Sequence, residues 1–198
     1  MRILFKALVC SVIISIVLSM TGFMGACEEI RSDVFRLHII ANSDSAEDQA
    51  LKLIVRDRII SYTGELFRNC SDKSSSVRCA EEHLGDIRRL AEDVIRENGC
   101  SYDAEAYVTG MDFSTRVYDD VTLPAGKYDA LRIVIGKGEG HNWWCVLFPA
   151  LCLPGAKSDT LSDVMNDGEM DIVSGGDKYE VRFKVVEWLE GLFSALHW

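Results

Sequence analysis

Val34-Phe35-Arg36-Leu37-His38-Ile39-Ile40-Ala41-Asn42-Ser43-Asp44-Ser45 is the stretch on which the fold turns. Phe35, Leu37, Ile39 and Ala41 alternate with Arg36, His38 and Ile40, the period of a strand with one face towards a core. Asn42 to Ser45 ends the strand and supplies an N-cap: Ser45 and Asp48 stand at capping-box spacing, and Glu47 and Asp48 suit the positive end of a helix dipole. Leu51, Val55, Ile59, Tyr62 and Leu66 then recur every three or four residues, so a helix is expected from Ser45 to about Phe67.

Working outward, Asn69 to Ser76 is a polar break, and Val77, Ala80, Leu84, Ile87, Ala91 and Val94 make a second amphipathic helix ending at Asn98-Gly99, where glycine suits the left-handed C′ position. From Tyr102 the texture is that of strands: Ala104, Ala106 and Val108 alternate with Glu105, Tyr107 and Thr109. Phe113 to Tyr118, Tyr128 to Ile135 and Trp143 to Phe148 continue in β-branched and aromatic residues between Gly and Pro turns. Val181, Val185, Leu189, Leu192 and Leu196 return to helical spacing. This order predicts an α+β domain with helices on one face of a mostly antiparallel sheet. Pro154 to Lys178 reads as a surface loop or tether. The expected division is 1–26, 27–153, 154–178 and a C-terminal helix over 179–198.

The 198 residues carry 21 Lys and Arg against 31 Asp and Glu, a net charge of −10. That field is wrong for gripping phosphate backbones, so no nucleic-acid partner is expected. Residues 1–26 hold Arg2 and Lys6, no acid and 18 apolar positions. They form a basic start, an apolar run and small residues at Gly25-Ala26, the pattern of an export signal. A retained anchor is the second reading. A lipoprotein is the third, since Met24-Gly25-Ala26-Cys27 loosely resembles a lipobox; otherwise Cys27 is an exposed thiol after the cut. Export would leave six cysteines in an oxidising space, with Cys145 and Cys152 the favoured pair because Pro149 lies between them.

A catalytic or metal constellation is hard to assemble. His38 beside Ser43 or Asp44 is the one hydrolase element, and there is no Gly-x-Ser-x-Gly elbow. His83 reads as helix surface and His197 lies at the chain end. Gly136-Lys137-Gly138-Glu139-Gly140-His141 has the glycines of a phosphate loop, but Asn142-Trp143-Trp144-Cys145 follows where a helix should open, so a tight connection between two strands fits better. Asp119-Asp120 and Asp44/Glu47/Asp48 lack the spacing of a calcium loop, and no second close Cys or Cys/His pair suits zinc. No cofactor or small-molecule substrate is expected. Trp143, Trp144, Leu147, Phe148 and Leu151 form an apolar concentration suited to a core or to a rigid partner anchor.

Two blocks carry a family resemblance. Leu37-His38-Ile39-Ile40-Ala41-Asn42-Ser43-Asp44-Ser45, continuing through Asp48 to Leu53 and Val55-Arg56-Asp57, resembles the opening of the stage II sporulation protein R family. Pro124-Ala125-Gly126-Lys127-Tyr128-Asp129-Ala130-Leu131-Arg132, with Ile133 to Gly140 and His141-Asn142-Trp143-Trp144-Cys145-Val146-Leu147-Phe148-Pro149, resembles a later part of it. The likeness runs from about Val34 to Cys152 with a weaker echo in Glu180 to Trp188. Ala150 stands where the family usually has a second Pro, and Cys70, Cys79 and Cys100 lie in unmatched stretches.

The resemblance implies a non-enzymatic signal of endospore formers, exported from the forespore into the intermembrane space. There it would activate a membrane-embedded aspartic protease that processes the precursor of an early mother-cell sigma factor. The expected docking residues are His38, Asn42, Asp44, His141, Trp143 and Trp144. An exported hydrolase and a membrane-anchored envelope component are the alternatives.

Overall fold

The computed structural model describes residues 2–118, 120–151, 159–162 and 164–196. It is an α+β structure with the elements α1 (Arg2–Asp33), β1 (Phe35–Ile40), α2 (Ala46–Leu66), α3 (Lys73–Glu82), α4 (Leu84–Glu97), β2 (Ala104–Phe113), β3 (Arg116–Tyr118), β4 (Val121–Leu123), β5 (Gly126–Ile135), β6 (Asn142–Phe148), α5 (Asp159–Ser162), α6 (Asp167–Ser174) and α7 (Gly176–Leu196). Two compact units divide the chain, one over 32–112 and 127–165, the other over 1–31, 113–126 and 166–198.

The first unit is built on a sheet of order β2-β5-β1-β6. β1 pairs parallel with β5 (Leu37 opposite Leu131) and antiparallel with β6 (Leu37 opposite Cys145). The sheet is mixed, with β1–β5 as its parallel pair and β1–β6 antiparallel. A parallel partner needs a long crossover, and residues 41–125 supply it. Phe35, Leu37 and Ile39 face one side with Leu131, Ile133, Ile135, Cys145 and Leu147, and there they meet Leu51, Val55 and Ile59 of α2 and Ile87, Ala91 and Val94 of α4, all buried. All six β1 residues are buried, the opposite face included.

Helix boundaries follow local chemistry. Ser45 caps α2, its Oγ accepting from the Asp48 N–H at 3.1 Å. The helix expected from Val77 to Asn98 is two helices broken at His83. There the ring Nδ1 takes the Cys79 carbonyl at 2.9 Å, and the backbone N–H bonds to Ala80, three residues back. α3 starts earlier, at Lys73, because Asp72 and Ser75 form a reciprocal capping box. α4 ends as expected: Gly99 has φ +77°, with Cys100 N–H donating to Ile95 O and Gly99 N–H to Arg96 O, the Schellman pattern that glycine adopts without strain.

In the second unit α1 is one helix through position 26, and its last third is buried through Phe23, Cys27 and Ile30. Cys27 is thus buried in the uncut chain. Phe23 stacks on Tyr179 and meets Phe183 edge-on, at 5.5 and 5.4 Å between centroids. These contacts, with Val186, make the buried face of α7, whereas Val181 is 75% exposed. Arg31 Nη1 donates to the Ala125 carbonyl at 2.7 Å, and β3 pairs antiparallel with β4. Among the described residues no helix is long and apolar enough to cross a membrane.

The stretch expected as a plain loop contains α5, α6 and the start of α7. Asn166 caps α6 reciprocally with Glu169, and Ile172 and Val173 are buried, so polar composition there concealed a short amphipathic helix. Asp119, Cys152 and the rest of 152–158 lie outside the described residues.

Candidate functional site

The carboxyl ends of β1 and β5 lie side by side, and α2 begins just beyond β1. The link from β5 to β6 is not a hairpin, because β1 lies between those strands; it crosses over the end of β1. Gly140 N–H donates to Ala41 O at 3.0 Å and Glu139 N–H to Asn42 O at 3.2 Å. A Cβ at Gly140 would stand 2.2 Å from the Ser43 carbonyl oxygen, so only glycine permits this approach.

Asp48 holds the crossing from beneath. Its buried Oδ2 accepts from Ser43 Oγ at 2.6 Å and from Asn42 Nδ2 at 2.8 Å, while Asn42 Oδ1 accepts the Lys137 N–H at 3.1 Å. Those donors, Ser43 foremost, hold the Asp48 carboxyl below its ordinary range. Lys52, also buried, donates to Gln49 Oε1 at 2.6 Å and to the His141 carbonyl at 2.8 Å. On the outer surface Asp44 Oδ1 accepts the His141 N–H at 2.6 Å and also contacts that residue's Nδ1. The His141 side chain holds the Asp44 carboxyl low. The result is an exposed acid–imidazole pair on a floor of buried charge.

The other expected docking residues point elsewhere. His38 lies under the Trp144 ring, 3.8 Å between centroids and 7° from parallel, with Nε2–H donating to Asn142 Oδ1 at 2.7 Å. Trp143 faces the helices, where the Arg56 guanidinium sits 4.9 Å from its ring centroid. Adjacent strand residues alternate faces, so the two tryptophans do not form one contiguous patch. Asn42, Asp44 and His141 are brought together; His38, Asn142 and Trp144 form a separate stack. Ser43 and His38 are not hydrogen-bonded among the described residues, since Ser43 Oγ is committed to Asp48. Among the described residues there is also no cluster of three metal-ligating side chains.

Sequence reasoning missed Lys52 and Asp48 as the floor, and Arg132 and Arg36 beside the stack. Arg132 is opposite His38 in the register, and Arg36 sits 4.8 Å above the Tyr128 ring. Charged residues alternating with apolar ones in β1 and β5 were the available signal.

Burial, with help from Arg132, lowers the His38 pKa to about 4 against the opposing bond to Asn142. The buried Nδ1 has no hydrogen-bond partner, so the folded protein holds the neutral ring. A histidine depressed on folding contributes stability fully above its unfolded value of 6.5 and loses it as pH falls towards 4, here about 3 kcal/mol. Urea unfolding between pH 7 and 4 should show this loss. His38→Phe, which keeps a ring against Trp144, should flatten that part of the profile, and an unchanged slope would refute the assignment.

A model of the stage II sporulation protein R family matches residues 31–158, which contain every element of this site. The chain belongs to the stage II sporulation protein R family. It is 29% identical over 187 residues to Stage II sporulation protein R of Bacillus subtilis (strain 168), covering 83% of this chain and 84% of the relative. No solved structure matches it. Membership gives the chain a role in sporulation, and the family match extends from the end of α1 past β6, stopping short of α6 and α7.

Proposed function

We propose that this chain is an exported signal that passes from the forespore into the intermembrane space and activates a membrane-embedded aspartic protease there. The protease then processes the precursor of an early mother-cell sigma factor. The observation that carries this reading is the exposed Asp44–His141 pair, locked by buried Asp48 and Lys52 within the family-matched segment. A binder shifts its partner's equilibrium only by differential affinity, and a preformed surface spends least on ordering. In the oxidising space Cys145, which is disulfide-bonded, pairs with Cys152.

Co-expression with the protease and sigma-factor precursor in a non-sporulating host tests the reading. The double variant Asp44→Ala/His141→Ala, both sites exposed, should cut processing tenfold or more with the far-UV spectrum unchanged. Full processing by that variant would remove the surface from the mechanism, and none by the wild type would remove the activator role.

The end of α1 packs through Phe23 on Tyr179 and Phe183, so a cut at position 26 would remove those contacts while leaving Cys27 and Ile30 in the chain. N-terminal sequencing of the exported chain in the same cells decides: a start at residue 27 excludes the anchor.

A further inference from the structure

The corner between α2 and α3 brings together two cysteines that lie nine positions apart. Cys70 follows the end of α2, its N–H bonded to Phe67 O at 2.9 Å, and Cys79 lies on α3 with its Sγ 3.8 Å from the Leu66 carbonyl. Both side chains are half-buried against the same core, both are free thiols, and Cys70 is near enough to Cys79 to act on its titration. Cys100 bonds instead to the Asn98 carbonyl, and Cys27 is buried in the other unit.

We propose that Cys70 and Cys79 form a second disulfide, which closes the α2–α3 corner when the chain meets a disulfide oxidant. Its presence in the cell rests on the export reading; its formation by the folded chain does not. The two thiols are placed unequally. Cys70 lines a cavity of about 420 Å³ with Phe67, Arg68, Phe148 and Pro149, through which a small disulfide reaches it. Burial, then the neighbouring Cys70, pushes the Cys79 thiol up, which makes Cys79 the poorer attacking group.

The step begins with the Cys70 thiolate attacking one sulfur of a low-molecular-weight disulfide such as oxidised glutathione, forming a mixed disulfide and releasing one glutathione thiolate. The Cys79 thiolate then attacks the Cys70 sulfur and releases the second glutathione. Two protein thiols are oxidised, two electrons pass to glutathione, and two protons leave with its thiols. The closed ten-residue ring restricts the unfolded chain and should lower the unfolding constant roughly a hundredfold.

The full chain is equilibrated in glutathione redox buffer, its remaining thiols are alkylated, and it is digested with trypsin. Cleavage at Arg68, Lys73, Arg78 and Arg88 isolates Asn69–Lys73 and Cys79–Arg88, each with one cysteine. The expected product is these peptides joined, two hydrogens lighter than their summed masses and absent from Cys70→Ser. Trapping with glutathione should place the adduct on Cys70 in Cys79→Ser and leave Cys79 unmodified in Cys70→Ser. Alkylation of both cysteines in the oxidised chain, or Cys70 joined to another partner, overturns the proposal. The sigma-factor processing assay is read separately, so failure of the activator reading is distinct from failure of the pair.

Discussion

Trp144→Ala is expected to lower the melting midpoint by about 10 °C. Trp144 covers His38 in a parallel stack at the centre of the β1–β6 pairing. Truncating a large aromatic side chain in such a place costs about 3 kcal/mol through lost burial and an unfilled space, and the stack adds of order 1 kcal/mol. In a chain of this size each kcal/mol moves the midpoint by about 2–4 °C. Trp144→Phe should recover about half of the loss because a ring remains over the imidazole. Trp143→Ala should cost less, since its ring, half-buried like that of Trp144, lies under the Arg56 guanidinium and not in a parallel ring stack. Scanning calorimetry on the three variants gives the order directly. Equal shifts for Trp143→Ala and Trp144→Ala would show that the His38 stack contributes nothing special.

Gly140→Ala should uncouple the loop from the fold. The added methyl would lie 2.2 Å from Ser43 O, 2.6 Å from its carbonyl carbon and 2.9 Å from the Ala41 Cβ. These are backbone and packed atoms, and the loop is pinned beside them by the Gly140 bond to Ala41 O and the Glu139 bond to Asn42 O. Relief requires the loop to lift, which separates His141 from Asp44 and from Lys52 at a cost of about 2–3 kcal/mol. Amide exchange at His141, whose N–H is bonded to Asp44, should accelerate at least tenfold while the α4 amides keep their protection. Sigma-factor processing should fall as far as in Asp44→Ala/His141→Ala. Native exchange at His141 would mean that the loop absorbs the methyl and that the glycine is not required there.

Much of the first unit was legible because the deciding interactions are local. The alternation in β1, the Ser45 cap, the spacing of Leu51, Val55 and Ile59, and the glycine after α4 each act over a few residues. α6 was missed because a two-turn helix buries little apolar surface and its cap residues are also turn formers. The break at His83 was missed because it depends on one imidazole taking one carbonyl. For the candidate site, the residues Asn42, Asp44 and His141 were legible as two loops, but their meeting was not, since 97 positions separate Asp44 from His141.

By itself the sequence determined the α+β class, the strand–cap–helix unit at residues 34–67, the net negative charge, and the family. These rest on periodicity, capping and charge, which operate at short range or over the whole composition. Only the tertiary structure decided that β5 runs parallel beside β1, that the two tryptophans turn to opposite faces, and that Asp44 joins His141. It alone set Cys70 against Cys79. Each of those depends on which distant segments share a sheet edge or a helix corner, a choice made by burying the β1 core face from both sides at once.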